Sequence, residues 1–197
     1  MTTLGYAILG LLSREALSGY DLMRRMKGRV GNFWSARHSQ IYPELARLEE
    51  GGYVTHRVVE QQERPDKKVY KITDAGLEAL EEWVLRPPGR RPVRDELVLK
   101  AYSIWVADME RAATLFREEG AEHEEQLARY EGIRDWMERE WGGDLNRPDS
   151  PRFAAYAALR RGLIYEHGYA EWCRWMADSI EGGGEKVEHV EDRGKVV

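Results

Sequence analysis

The chain's 197 residues are enough for one large domain or two small ones, and 42% hydrophobic against 33% charged residues is the balance of a globular protein. A single cysteine, Cys173, excludes an internal disulfide and any multi-cysteine metal site, and it suits a reducing cytoplasm. The net charge of -5 excludes a uniformly basic coat, but residues 14–72 hold 12 Lys+Arg against 8 Asp+Glu while residues 87–197 hold 17 against 23, so the first half is the better partner for a polyanion unless its charges are ordinary solvated surface.

Met1-Thr2-Thr3-Leu4 lacks a basic region, and the apolar run to Leu12 is too short and interrupted for a signal or a membrane span, so a soluble, cytoplasmic protein with no membrane partner is expected. Leu4, Ala7, Ile8, Leu11 and Leu12 have helical spacing and predict a core helix ending near Ser13. Ser18-Gly19-Tyr20-Asp21 resembles a capping box with Asp in place of Glu and opens a second helix through Leu22, Met23 and Met26. The other face of that helix gathers Arg24, Arg25, Lys27 and Arg29. Gly31 to Arg37 reads as a turn followed by two packing aromatics, Phe33 and Trp34.

A third helix follows over His38 to Glu50. Ile41, Leu45 and Leu48 fall at i, i+4 and i+7 on one face, with Gln40, Glu44 and Arg47 pointing elsewhere. Ser39 is placed to cap its start, Pro43 falls within the first turn where a missing donor costs least, and Gly51 or Gly52 can take the left-handed conformation that ends it. The open N-terminus carries unpaired N–H groups and a partial positive charge, which suit a phosphate or a base edge.

Val54 to Glu60 and Lys68 to Ile72 are rich in β-branched residues and predict two strands, joined by a polar turn over Gln61 to Lys67 with a Pro-Asp signal. Thr73-Asp74 caps a further helix in which Leu77, Leu80 and Val84 recur, ending at Arg86-Pro87-Pro88-Gly89. Three helices, two strands and a helix make the order of a winged helix-turn-helix, whose third helix enters the major groove while the hairpin tip meets the flanking backbone.

Tyr42-Pro43, Leu45, Leu48-Glu49 and Gly51, followed by Lys68-x-Tyr70-x-Ile72-Thr73-x-x-Gly76 and Trp83, resemble the PadR transcriptional regulators. So do Leu9-Gly10-Leu11-Leu12 and Ser18-Gly19-Tyr20-Asp21-Leu22, so the resemblance covers residues 1–86.

Residues 87–92, Pro-Pro-Gly-Arg-Arg-Pro, read as a stiff basic linker between a domain over 1–86 and one over 93–180. Asp95 to Val106 predicts a helix apolar on most of its sides, which should be buried. Asp108 caps a long segment to Trp141, carrying Ala112, Leu115, Phe116, Leu127, Tyr130, Ile133 and Met137. Gly142-Gly143-Asp144 ends it, and Pro151 occupies the first position of a last helix running through Phe153, Tyr156, Leu159, Leu163, Ile164, Trp172 and Trp175. Helices so long and so apolar need a partner surface, which a hairpin packed on a second copy would supply. The resemblance implies the same: longer PadR members carry a C-terminal helical dimerisation domain, and Arg94-Asp95-Glu96-Leu97-x-Leu99-Lys100 looks like its opening motif. Residues 181–197 read as a mobile tail.

No chemistry-bearing constellation stands out, so neither an enzyme nor a cofactor is expected. None of the five histidines has metal-ligand spacing to a second His or Cys, there is no phosphate loop or nucleophile elbow, and adjacent Glu166-His167 do not face each other on a helix. The candidate DNA contacts are Arg37, His38, Ser39, Gln40 and Tyr42 at the third helix, where Gln pairs with adenine and Ser or Tyr with phosphate, and Arg64, Lys67 and Lys68 at the hairpin. Arg47 can instead serve an internal ion pair, and Tyr42 can be core. Seven tryptophans are expected mainly in core and dimer packing. Since some relatives bind phenolic acids or drug-like aromatics, Trp105, Trp172 and Trp175 are candidates for the wall of an effector pocket.

The reading is mainly α with a small β-hairpin: an N-terminal winged helix-turn-helix and a C-terminal α-helical dimerisation domain. It implies a homodimeric repressor of an inverted-repeat operator in double-stranded DNA, with a small aromatic molecule as possible effector. The alternative is a winged-helix module for protein contact that reads no DNA.

Overall fold

The computed structural model describes residues 1–26, 38–60, 66–89 and 94–182. The chain divides into two compact units, Met1–Arg91 and Pro92–Val197. The predicted turn and aromatics over 31–37, most of the hairpin tip, linker residues 90–92 and tail residues 183–197 lie outside the described residues.

The first unit is built from α1 (Thr3–Leu12), β1 (Leu17–Ser18), α2 (Gly19–Arg25), α3 (His38–Glu50), β2 (Val54–Val59), β3 (Lys67–Ile72) and α4 (Asp74–Leu85). The sheet has three antiparallel strands in the order β1-β3-β2, one more than the hairpin read from sequence. Strand β1 is two residues long and holds Leu17 opposite Tyr70 and Ser18 opposite Val69, too short a run to show an alternation. Helix α2 starts as its sequence predicts, with the Asp21 N–H donating to Ser18 Oγ at 3.1 Å. Its box closes differently, however: the Ser18 hydroxyl donates to the Asp21 carboxylate at 2.6 Å.

One apolar core holds α1, α2, α3 and the sheet together through Ile8, Leu9, Leu22, Ile41, Leu45 and Leu48. Glu44 does not point outward as its helical position suggested; it is 3% exposed. Its carboxylate accepts from the Thr2 hydroxyl at 2.5 Å and from Arg47 at 2.9 Å, and Thr2 in turn caps α1. A negative charge is thereby held at the N-terminal end of α1, where the helix dipole favours it.

Two features of α3 correct the sequence reading. The helix begins at His38, so Ser39 is its second residue rather than its cap. Pro43 consequently lies past the first turn, where it removes the hydrogen bond that would run to the Ser39 carbonyl. The other end is as expected. Gly52 is left-handed at φ 74°, and the Gly52 and Tyr53 N–H groups donate to the Glu49 and Leu48 carbonyls, which closes a Schellman motif.

On α4 the predicted face is also displaced. Leu77 and Val84 are exposed, while Leu80 packs on the core and Trp83 stacks on Tyr6 at 4.7 Å. The buried stripe runs Gly76, Leu80, Trp83. Gly76 leads it because a Cβ there would sit 2.2 Å from the Tyr53 carbonyl oxygen, and a hydrophobic pattern gives a glycine no weight.

The second unit contains α5 (Glu96–Tyr102), a 3-10 turn over Ile104–Val106, α6 (Met109–Trp141), a second 3-10 turn over Gly142–Asn146 and α7 (Pro151–Glu181). Asp108 caps α6, Ser150 caps α7, and Pro151 stands at the start of α7 as predicted. The two long helices form an antiparallel hairpin, cross-linked by Glu124 with Arg174 and by Arg117 with Glu181. Along α7 the inner stripe is Leu159, Leu163, Glu166, Ala170, Cys173 and Ala177, a heptad phase with a carboxylate in it. The matching layer of α6 is His123, whose Nδ1 lies 2.5 Å from Glu166. Tyr169 lies over the His123 ring at 4.5 Å and donates its hydroxyl to Asp95, the residue that caps α5. The partner of Glu166 is thus across the hairpin and not its neighbour His167.

Helix α5 is not buried, contrary to the sequence reading. Only Leu97, Ala101 and Ile104 reach the hairpin, packing with Phe116 and Trp172. Val98, Leu99, Tyr102, Trp105 and Val106 are exposed. A helix apolar all round needs cover on all sides, and the hairpin supplies one.

Candidate nucleic-acid interface

The core face of α3 turns its opposite face outward. Ser39 and Gln40 are exposed in its first turn, and Tyr42 is 49% exposed just beyond. Tyr42 is therefore not a core residue, yet its ring is seated: a Cβ added to Gly19 would lie 2.6 Å from it, so the start of α2 is flat against the tyrosine. Arg47 lies farther along and is taken up by Glu44. At the other end of α3, Glu49 pairs with His56 of β2, which ties the helix to the hairpin.

On the hairpin, Lys67 opens β3 opposite Val59, and Lys68 beside it is exposed. Lys67 donates to Asp21 of α2 at 2.9 Å, and Asp21 is held below its ordinary carboxylate range by the Ser18 hydroxyl first and Lys67 second. The capping role of Asp21 was legible in the sequence. Its bond to a lysine 46 residues away was not, because the register of β1 on β3 creates it. Arg37 and Arg64 lie outside the described residues, and of His38 only its place at the head of α3 is described.

The negative transcriptional regulator PadR of Bacillus subtilis is 38% identical over 182 residues, which cover 92% of this chain and 99% of that protein. The chain belongs to the PadR-like transcriptional regulator family. The PadR family model matches residues 8–82, and a model described as the C-terminal region of virulence activator alpha matches residues 93–181. Among solved structures, B. subtilis PadR in complex with operator DNA superposes with a TM-score of 0.80 at 37% identity, covering 91% of this chain and 99% of that one. The same PadR in complex with p-coumaric acid gives 0.75 at 35% identity, over 91% and 99%.

Against this PadR background, the three tryptophans singled out for an effector differ in their surroundings. Trp172 packs edge-on against Phe116 at 5.6 Å, whereas Trp105 is 79% and Trp175 53% exposed. Cys173 is fully buried, and burial pushes its thiol up. Among the described residues no three His, Cys, Asp or Glu side chains gather as a metal requires, and no helix is long and apolar enough to cross a membrane.

Proposed function

We propose that this PadR-family regulator is a cytoplasmic homodimer that represses transcription by reading an inverted-repeat operator, one α3 per half-site. The observation that carries the reading is the division of α3: Ile41, Leu45 and Leu48 are inside, and Ser39, Gln40 and Tyr42 are exposed within its first turns. Gln40 reads a base edge, preferring adenine, while Ser39 and Tyr42 meet phosphate. Arg37, His38 and Arg64 belong to the same reading from their places in the sequence, and Lys68 supplies phosphate contact from the wing.

Residues 1–86 are then the DNA-binding domain and 93–180 the dimerisation domain. The uncovered apolar side of α5 is the part of the second domain that a second copy would cover. A small aromatic effector fits the p-coumaric acid bound by the B. subtilis relative. It would act by changing the separation of the two reading helices, which alters affinity for both half-sites together. No step of this mechanism requires catalysis.

The test is a footprint on the DNA upstream of the protein's own gene. Protection of two half-sites about 34 Å apart, or a multiple of that, is expected. An unprotected palindrome would overturn the reading and favour a winged helix used for protein contact.

A further inference from the structure

The first turn of α2 is where the two DNA-facing elements meet. On one side, the Tyr42 ring of α3 rests on Gly19. On the other, Lys67 of the wing reaches Asp21. Strand β1 pairs with β3 through Leu17 and Tyr70 and then Ser18 and Val69, after which the chain turns into α2 and backbone pairing stops. Lys67 is two residues farther out on β3, on the same strand face as Val69. The Asp21–Lys67 bond therefore carries the β1–β3 contact one step beyond the last backbone pair. Asp21 is itself held by the Ser18 hydroxyl at 2.6 Å and by its place in a capped helix turn, so it is a fixed anchor. Arg24 lies 3.9 Å from its other oxygen.

We infer that Lys67 is a positioning residue and not a phosphate contact: with Asp21 it sets the distance between wing and reading helix, and the phosphate contact at the wing base belongs to Lys68. The inference rests on the DNA-binding reading above and reassigns one residue within it. A lysine bonded to a carboxylate presents little net charge to DNA, and moving it to a phosphate would release the wing from α2. Lys68, exposed on the opposite strand face, can reach a phosphate without giving up an ion pair to any of the described residues.

The experiment is fluorescence anisotropy of full-length protein on its footprinted DNA over a salt series, with Lys67→Gln, Lys68→Gln, Asp21→Asn, the double variant Asp21→Asn/Lys67→Gln and the exchange Asp21→Lys/Lys67→Asp. Lys68→Gln is expected to lower the slope of log affinity against log salt by about 0.9. Lys67→Gln and Asp21→Asn should each weaken binding about three-fold at every salt with the slope unchanged, the size of one partly exposed ion pair. The double variant should be no weaker than either single one, and the exchange should recover most of the loss. Lys67→Gln lowering the slope by about 0.9, or Asp21→Asn tightening binding, would overturn the assignment while leaving the regulator reading intact. Wild-type protein that binds no DNA would take both down together.

Discussion

The two units treat polar and apolar side chains in opposite ways. The first gathers its buried apolar residues into one cluster and uses inward charges at helix ends, Glu44 for α1 and Asp21 for α2. The second splits its core into a cluster around Phe116 and Cys173 and another around Tyr130 and Leu159. The His123–Glu166 layer interrupts the heptad stripe between them, and the apolar surface of α5 stays in water. The difference teaches that one continuous apolar core organises the described part of the first unit, while the second leaves a broad apolar side of α5 outside its two smaller clusters.

That contrast can be broken at its strongest point first. Leu45→Ala, at a fully buried site of the continuous core, should cost about 3 kcal/mol in denaturant unfolding and remove DNA binding with it. A cost below about 1 kcal/mol would mean that the first core is looser than its burial indicates.

Glu166→Ala should cost about 2 kcal/mol, because it leaves the His123 ring without its partner inside the hairpin. Replacing His123 and Glu166 together by leucine should recover that loss, since the heptad stripe then becomes continuous. Thermal melts of the single and double variants check both.

Tyr169→Phe should cost about 1 kcal/mol and alter the pH profile. The Tyr169 hydroxyl, then the Val98 N–H, hold Asp95 below its ordinary 3.8; burial, then the bond to Asp95, hold the Tyr169 phenol above its ordinary 10.0. A depressed carboxylate stabilises above its unfolded pKa, and the effect is lost as pH falls through the depressed value. A raised phenol stabilises below its unfolded pKa, and the effect is lost as pH rises through the raised value. The tie is thus expected to be constant between about pH 4 and pH 10 and to fade outside both limits. The difference in melting temperature between wild type and Tyr169→Phe should shrink at both ends of the range. A difference independent of pH would show that the hydroxyl contributes packing alone.

The smallest effect on monomer stability is expected from Leu99→Asp, within about 0.5 kcal/mol because the side chain is exposed. Sedimentation should nevertheless show dissociation to monomer. An unchanged dimer would place the interface away from Leu99.

Much of this was legible in the sequence. Ile41, Leu45 and Leu48 announced the core face of α3, Ser18 and Thr73 announced two caps, and Pro151 announced the start of α7, because each signal involves residues within a turn or two of each other. The misread positions share a different property. Pro43 was misplaced by the true start of α3, Leu77 and Val84 by a glycine that leads the buried face of α4, and Glu44 by a partner at the N-terminus of another helix. Of the candidate site, Gln40 could be placed away from the core from helical phase, while Tyr42 stayed open to a core reading until its exposure was seen. The engagement of Lys67 was not legible from phase.

The sequence by itself determined the order of the helices and of the β2–β3 hairpin, the caps at Ser18, Thr73 and Asp108, and the family, since these depend on local spacing and on motifs that lie together in the chain. Only the tertiary structure decided which charges are inside, which apolar face of α5 is left uncovered, and that Tyr42 and Lys67 both come to rest on the first turn of α2. Those outcomes depend on sheet register and helix docking between segments distant in the chain, where a one-residue change in phase would bring a different side chain to the same place.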